Sequence, residues 1–259
     1  MFGRMRVPLI VLGGLLAAFL LLPSVLLLAT SWTGGQFLTF PPRGFSPQWY
    51  LALLSDSTWT GAFWLSVGVA GAATVIATVL GTAAALAVAR MRTGGRLLRT
   101  LFVAPVAVPV IAYALGLHNL VQRVPVLADS LIPLILGEAV LAFPLVFVVV
   151  NASVARLDPA LRPAAATMGA RWPTIVRRVE LPLLTGAIAA GALFAFNAAF
   201  DEVVLSVYLV PVGQYTLPLQ MLDASREAIS PQLTAASTVV SVLALVILGG
   251  AGLLRRRAT

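Results

Sequence analysis

The 259-residue chain contains no cysteine. That absence excludes a disulfide framework, a thiolate zinc site and a cysteine nucleophile, and it leaves the redox compartment unmarked. Lysine is absent too: the 17 basic residues are all arginine. Neither a lysine-bearing phosphate loop nor Schiff-base chemistry is available without it. ATP, if the protein depends on it, must be bound by another chain, and no cofactor is expected on this one. His118 is the single histidine, and one imidazole with no thiol beside it makes no metal site. No G-x-S-x-G occurs and His118 has no evident serine partner, so an intramembrane serine protease is not expected. Charge of any kind is scarce, at 10% of residues, against roughly 25% in soluble domains. That balance is expected of an integral membrane protein.

Apolar sequence fills the space. Hydrophobic residues make up 60% of the chain and the mean hydropathy is +1.00. Six apolar runs, near 8–30, 61–89, 100–117, 131–150, 183–205 and 233–254, reach or approach the roughly 20 helical residues that cross a hydrocarbon core. The first lacks a small-x-small exit and reads as an uncleaved span rather than a signal peptide. Pro105 and Pro109 in the third run, and Pro133 and Pro144 in the fourth, mark interior helices bordering a pathway, where neighbours or water satisfy freed carbonyls. In the second, Ala77, Gly81 and Ala85 lie four apart and allow close helix approach, either within one subunit or between subunits. Trp49, Tyr50, Trp59 and Trp64 form an interfacial belt or a docking surface for an external partner.

The formal charge of +8 is patterned by topology and is no signal for nucleic acid. Arg4, Arg6, Arg90, Arg92, Arg96, Arg99, Arg156, Arg162, Arg171, Arg177, Arg178, Arg255, Arg256 and Arg257 fall on one side of a six-span arrangement. Arg43, Arg123 and Arg226 fall on the other. Fourteen against three is a strong positive-inside asymmetry, which puts both termini in the cytoplasm. The expected fold class is all-α, a polytopic membrane protein with six transmembrane helices. Its expected parts are an N-terminal span and external loop over 1–60, a core of five spans over 61–254, and a basic cytoplasmic tail over 255–259.

One segment is out of place. Residues 158–182, DPALRPAAATMGARWPTIVRRVELP, form a polar, arginine-rich stretch between apolar runs. Asp158 suits an N-cap with Pro159 at the first helical position. Gly169 stands where a positive φ would end that helix. Trp172-Pro173 then opens a second short helix, which Pro182 is expected to close. The orientation above places this helix-turn-helix in the cytoplasm.

Ala164-Ala165, Gly169 four residues on, and Leu181-Pro182 resemble the EAA loop of permease subunits of binding-protein-dependent ABC importers. Asp158-Pro159 and Leu161 fit the run-in to that loop. The resemblance implies a cytoplasmic coupling helix-turn-helix that docks on an ATPase. The chain departs from the pattern at Arg162 and Pro163, where the family usually carries acidic residues, and Pro163 is expected to shorten the first helix.

Ionisable groups within spans are costly and default to functional candidates. Glu138 lies about a third of the way into the fourth run. Asp201 and Glu202 sit late in the fifth, near the outer interface, since eighteen helical residues from Leu183 rise ~27 Å. Successive helical residues point about 100° apart, so the pair shares one cavity only if the helix loosens there. A hydrogen-bonded structural carboxyl at 138 and a water-facing helix end at 201–202 are the alternatives. Phe200-Asp201-Glu202-Val203-Val204, Thr216-Leu217-Pro218 and Ile229-Ser230-Pro231 are similar to the C-terminal half of spermidine/putrescine-type permeases, a branch whose members also carry other solutes. This similarity implies import of a small solute, a polyamine or related cationic amine, across a bacterial inner membrane by alternating access. The implied partners are two ATP-binding subunits, a second and non-identical permease subunit, and an external solute-binding protein. An ion-gradient-driven secondary transporter using Glu138 or Asp201 is the alternative, though no inverted repeat of that kind is evident.

Overall fold

The computed structural model describes residues 6–42, 44–91, 93–227 and 230–257. Arg4, Arg43, Arg92, Ile229 and residues 258–259 lie outside them, as do the side chains of Arg6, Arg255, Arg256 and Arg257. The regular elements among the described residues are helices: α1 (Arg6–Ser31), α2 (Gln48–Ser55), α3 (Ser57–Val88), α4 (Gly95–Val103), α5 (Val110–Val121), α6 (Pro125–Ala128), α7 (Ile132–Val154), α8 (Leu161–Thr167), α9 (Trp172–Ile175), α10 (Leu181–Phe200), α11 (Val204–Leu209), α12 (Leu217–Glu227) and α13 (Pro231–Arg257). The architecture is all-α and polytopic. The chain forms two compact units, Met1–Gly61 with Gln220–Val246, and Ala62–Leu219 with Ile247–Thr259.

In the first unit α1 has no polar face. Ile10, Phe19 and Leu20 are each more than 70% exposed, which suits a helix whose solvent is lipid. The Ser31 and Tyr50 hydroxyls lie 2.6 Å apart, and the Trp32 and Tyr50 rings are 5.0 Å apart. These contacts fasten α2 to the end of α1, which gives Tyr50 a structural task. Trp59 is buried, and Trp64, in the other unit, is exposed.

The second unit is built around α7, which packs between α3 and α10. Ala77, Ala85, Val146, Phe147, Val150 and Leu184 are at its buried centre. A Cβ added at Gly81 would stand 2.9 Å from the Val146 Cβ and 3.1 Å from the Phe147 amide nitrogen; at Gly191 it would stand 3.2 Å from the Val146 Cα. Glycine at both positions lets two helices close on α7, as small residues do in lipid. Of the two uses open to Ala77, Gly81 and Ala85, the structure selects contact within the subunit.

Among the described residues, four helices are long and apolar enough to cross a membrane: Ile10–Ser31, Ser57–Val88, Ile132–Val154 and Trp172–Phe200. The third predicted span is not one helix. Gly95–Ala107 and Val110–Val121 meet at 91°. Pro109 has no N–H to continue the ladder and forces its neighbour out of the helical region, so Val108 is extended at ψ 128°. The sixth apolar run appears as the shorter stretch Pro231–Val246 of α13. The fifth is displaced: it begins at Trp172, not Leu183, and ends at Phe200. Pro182 therefore does not close the second short helix. Residues Val176–Glu180 form a π turn between α9 and α10, and this wider turn accommodates the missing N–H, so the helix runs on.

Candidate functional site

Two places in the second unit collect the predicted residues. The first is the 158–182 segment. Its opening differs from expectation: the Asp158 carboxylate accepts the Ala160 N–H at 2.8 Å and holds a turn, while α8 starts at Leu161. Pro163 accordingly falls in the first turn of α8, where its N–H would have had no partner. The helix is short, at 7 residues, but Pro163 in its first turn breaks no bond of the ladder and does not shorten it. It ends as its sequence requires. Gly169 has φ +81°, its N–H bonds to the Ala166 carbonyl at 2.9 Å, and the Ala170 N–H bonds to the Ala165 carbonyl at 3.1 Å. That pair of bonds is a Schellman cap, which needs a residue free to adopt positive φ at C′. Ala165 is buried, while Ala164 and Gly169 are exposed and Met168 projects at the turn with 82% exposure. Leu181 packs partly buried against the core around Val146, and Pro182 is exposed.

Beneath this turn lies a charge cluster that spacing alone did not single out. The Glu180 side chain is only 2% exposed and accepts from Arg90 Nη2 at 2.5 Å and from Arg162 Nε. The Arg90 guanidinium also lies 5.1 Å from the centre of the Trp172 ring, a cation–π distance. The available signal was one carboxylate at 180 in an otherwise arginine-bearing stretch. A buried carboxylate needs partners, and arginines supply them.

The second place is where the chain breaks. Val106, Val108 and Val110, from either side of the bend, line a cavity of ≈210 Å³ with Glu138, Ala199 and Glu202. Glu138 is 2% exposed, and its Oε2 has no hydrogen-bond partner among the described residues. Glu202 Oε1 accepts the N–H groups of Val204 and Leu205 at 2.7 and 3.2 Å and so caps α11. The structure thus brings Glu138 and Glu202 to one cavity and leaves out Asp201. α10 ends at Phe200, so Asp201 and Glu202 lie beyond the helix instead of late within it; Asp201 occupies its C-cap and is exposed.

A hydrogen-bond network ties the residues around Glu202 to those around Thr216. Ser206 Oγ donates to the Glu202 carbonyl at 3.1 Å, Thr216 Oγ1 donates to Ser206 Oγ at 2.9 Å, and the Leu217 N–H reaches Ser66 Oγ at 2.7 Å. His118 has a structural contact: its Nδ1 is 2.7 Å from the Tyr208 carbonyl.

The second unit is thus an all-α membrane unit with a broken span and a capped polar helical turn, and comparison with known proteins gives its family. The family model for the binding-protein-dependent transport system inner membrane component matches residues 77–259, and the chain belongs to that family. It is a permease subunit of an ABC importer and not an enzyme. Such a subunit is a multi-pass inner-membrane component of a binding-protein-dependent transport system. This membership sets aside the ion-gradient-driven secondary transporter.

The chain is 29% identical to the spermidine/putrescine transport system permease protein PotC of Haemophilus influenzae over 243 residues, 93% of each protein. It is 27% identical to the putrescine transport system permease protein PotI of Escherichia coli strain K12, over 91% of this chain and 85% of that one. With the molybdenum transport system permease protein ModB of Mycobacterium bovis it shares 32% over 78% of this chain and 82% of that one. Among solved structures, a chain of a bacterial alginate ABC transporter, in complex with its alginate pentasaccharide-bound periplasmic protein, superposes with a TM-score of 0.70 at 17% identity. That match covers 98% of this chain and 93% of the other. A chain of the MetNI methionine ABC transporter superposes at 0.65 and 16% identity, over 78% of this chain and 96% of that chain. These two likenesses concern the fold.

Proposed function

We propose that this permease carries a small cationic amine of the spermidine or putrescine kind, by alternating access. The observation that carries the proposal is the cavity at the broken span, where Glu138 and Glu202 meet. A carboxylate in a low-dielectric site attracts a cation far more strongly than it would in water. Polyamine permease relatives that align over more than nine-tenths of the chain support the same class. A molybdenum permease relative favours a second reading, but two carboxylates would repel an oxyanion such as molybdate.

Two ATP-binding subunits supply the energy, and a second, non-identical permease subunit completes the path. Both termini and the 158–182 segment face the cytoplasm, and that segment docks on an ATPase through Ala164, Ala165 and the turn at Gly169. Leu181 and Pro182 lead its motion into α10. Residues 61–254 act as the permease core, 1–60 as an added span with its external loop, and 255–259 as a cytoplasmic tail.

Reconstitution tests the proposal. Proteoliposomes holding the full importer, given its binding protein outside and ATP inside, are expected to accumulate labelled putrescine or spermidine. Accumulation of molybdate, with neither amine transported, would overturn the solute assignment.

A further inference from the structure

Arg162 and Glu180 stand on opposite sides of the Gly169 turn, 18 residues apart in sequence, and their side chains meet. Glycine at a positive-φ turn is the natural point for a helix-turn-helix to flex. The ion pair closes a ring across that point. Glu180 is fully engaged, one carboxylate oxygen with Arg162 and the other with Arg90, which follows the end of α3. Arg90 is also held by the Trp172 ring, at the start of α9. Three elements converge on one buried carboxylate: the inner end of α3, α8, and the helix that continues into α10. The arginine at 162, where the family usually has an acid, turns its charge inward to this cluster.

We infer that Glu180 is a positioning residue that clamps α8, α9 and the inner end of α3 into one rigid body. A push on α8 then reaches the α3 and α10 spans and is not absorbed at Gly169. This rests on the proposed docking of the 158–182 segment on an ATPase. Charge pairing of this kind gives geometric specificity only when every member is satisfied, and here both carboxylate oxygens are.

The test uses the assembled importer with spin labels at Met91→Cys and Thr167→Cys in the otherwise cysteine-free chain. The clamp predicts one narrow distance between them, equal in the nucleotide-free and ATP-trapped states. Glu180→Gln, which removes the charge but keeps the shape, is expected to broaden that distribution and make it shift with ATP. The amine transported per ATP hydrolysed should fall about tenfold, a typical size for a coupling term. If Glu180→Gln assembles poorly, Arg162→Cys with Glu180→Cys, joined by a short bismaleimide, serves instead; joining them should restore both the narrow distance and uptake. An unchanged distribution in Glu180→Gln, a wild-type distance that moves with ATP, or no restoration in the joined pair would overturn the clamp. Docking is read separately, from a thiol crosslink between Met168→Cys and the ATPase subunit. Failure of that crosslink removes the docking and the clamp's role with it, whereas a normal crosslink beside an unchanged distance removes the clamp alone.

Discussion

Gly169→Val is expected to leave the importer inserted and assembled while cutting uptake at least about tenfold, the scale of a lost coupling term. The reason is backbone conformation and not crowding. A Cβ at Gly169 would have open space around it, but the residue sits at φ +81°. An L-residue in that region costs about 1–2 kcal/mol, and a β-branched one is a genuine outlier there. The chain relieves the strain by giving up the two bonds of the cap, from Gly169 to Ala166 and from Ala170 to Ala165. The end of α8 then frays, and Met168 loses its fixed place at the turn. Gly169→Asn, a residue that tolerates positive φ, should retain most activity. Uptake by the full importer, normalised to membrane-inserted protein, checks the pair; equal transport by Gly169→Val and wild type would remove the turn from coupling.

Neutralising the carboxylates separates three residues that are similar on paper. Glu138→Gln and Glu202→Gln are each expected to reduce polyamine uptake strongly, on the order of tenfold or more, since one lost charge contact in a low-dielectric site is worth over 1 kcal/mol. Asp201→Asn should change uptake little, because Asp201 is exposed and outside the cavity. Glu202 needs care, since its Oε1 also caps α11. A glutamine oxygen can still accept those N–H groups, so Glu202→Gln removes the charge and keeps the cap. ATP hydrolysis and co-purification with the ATPase should persist in all three variants. Undiminished uptake in both glutamine variants would take the cavity out of the solute path.

Much of this all-α, polytopic architecture was legible in the sequence because apolar length is a strong signal. The helix ends were less so. Pro182 reads as a stop, since proline opposes a regular helix, yet a π turn immediately before it lets the helix continue; nothing in residue type distinguishes that turn in advance. Pro109 carried the opposite lesson. It reads as a proline accommodated within an interior span, and its effect on Val108 produces a bend of 91° instead. Gly169 was readable because its need is local. Glu180 was not, because its meaning depends on Arg90, 90 residues away in sequence. Asp201 and Glu202 are neighbours with different surroundings, and only the point at which α10 ends, Phe200, separates one from the other.

The sidedness of the 158–182 segment decides whether an ATPase can reach it at all. Single substitutions Ser57→Cys, Gln214→Cys and Thr174→Cys, made in a chain with no native cysteine, measure it with a membrane-impermeant maleimide applied to sealed cells. Ser57→Cys and Gln214→Cys are expected to label from outside, and Thr174→Cys to label only after the membrane is opened. Labelling of Thr174→Cys in sealed cells would put the segment on the wrong side of the membrane for an ATPase and contradict its role in coupling.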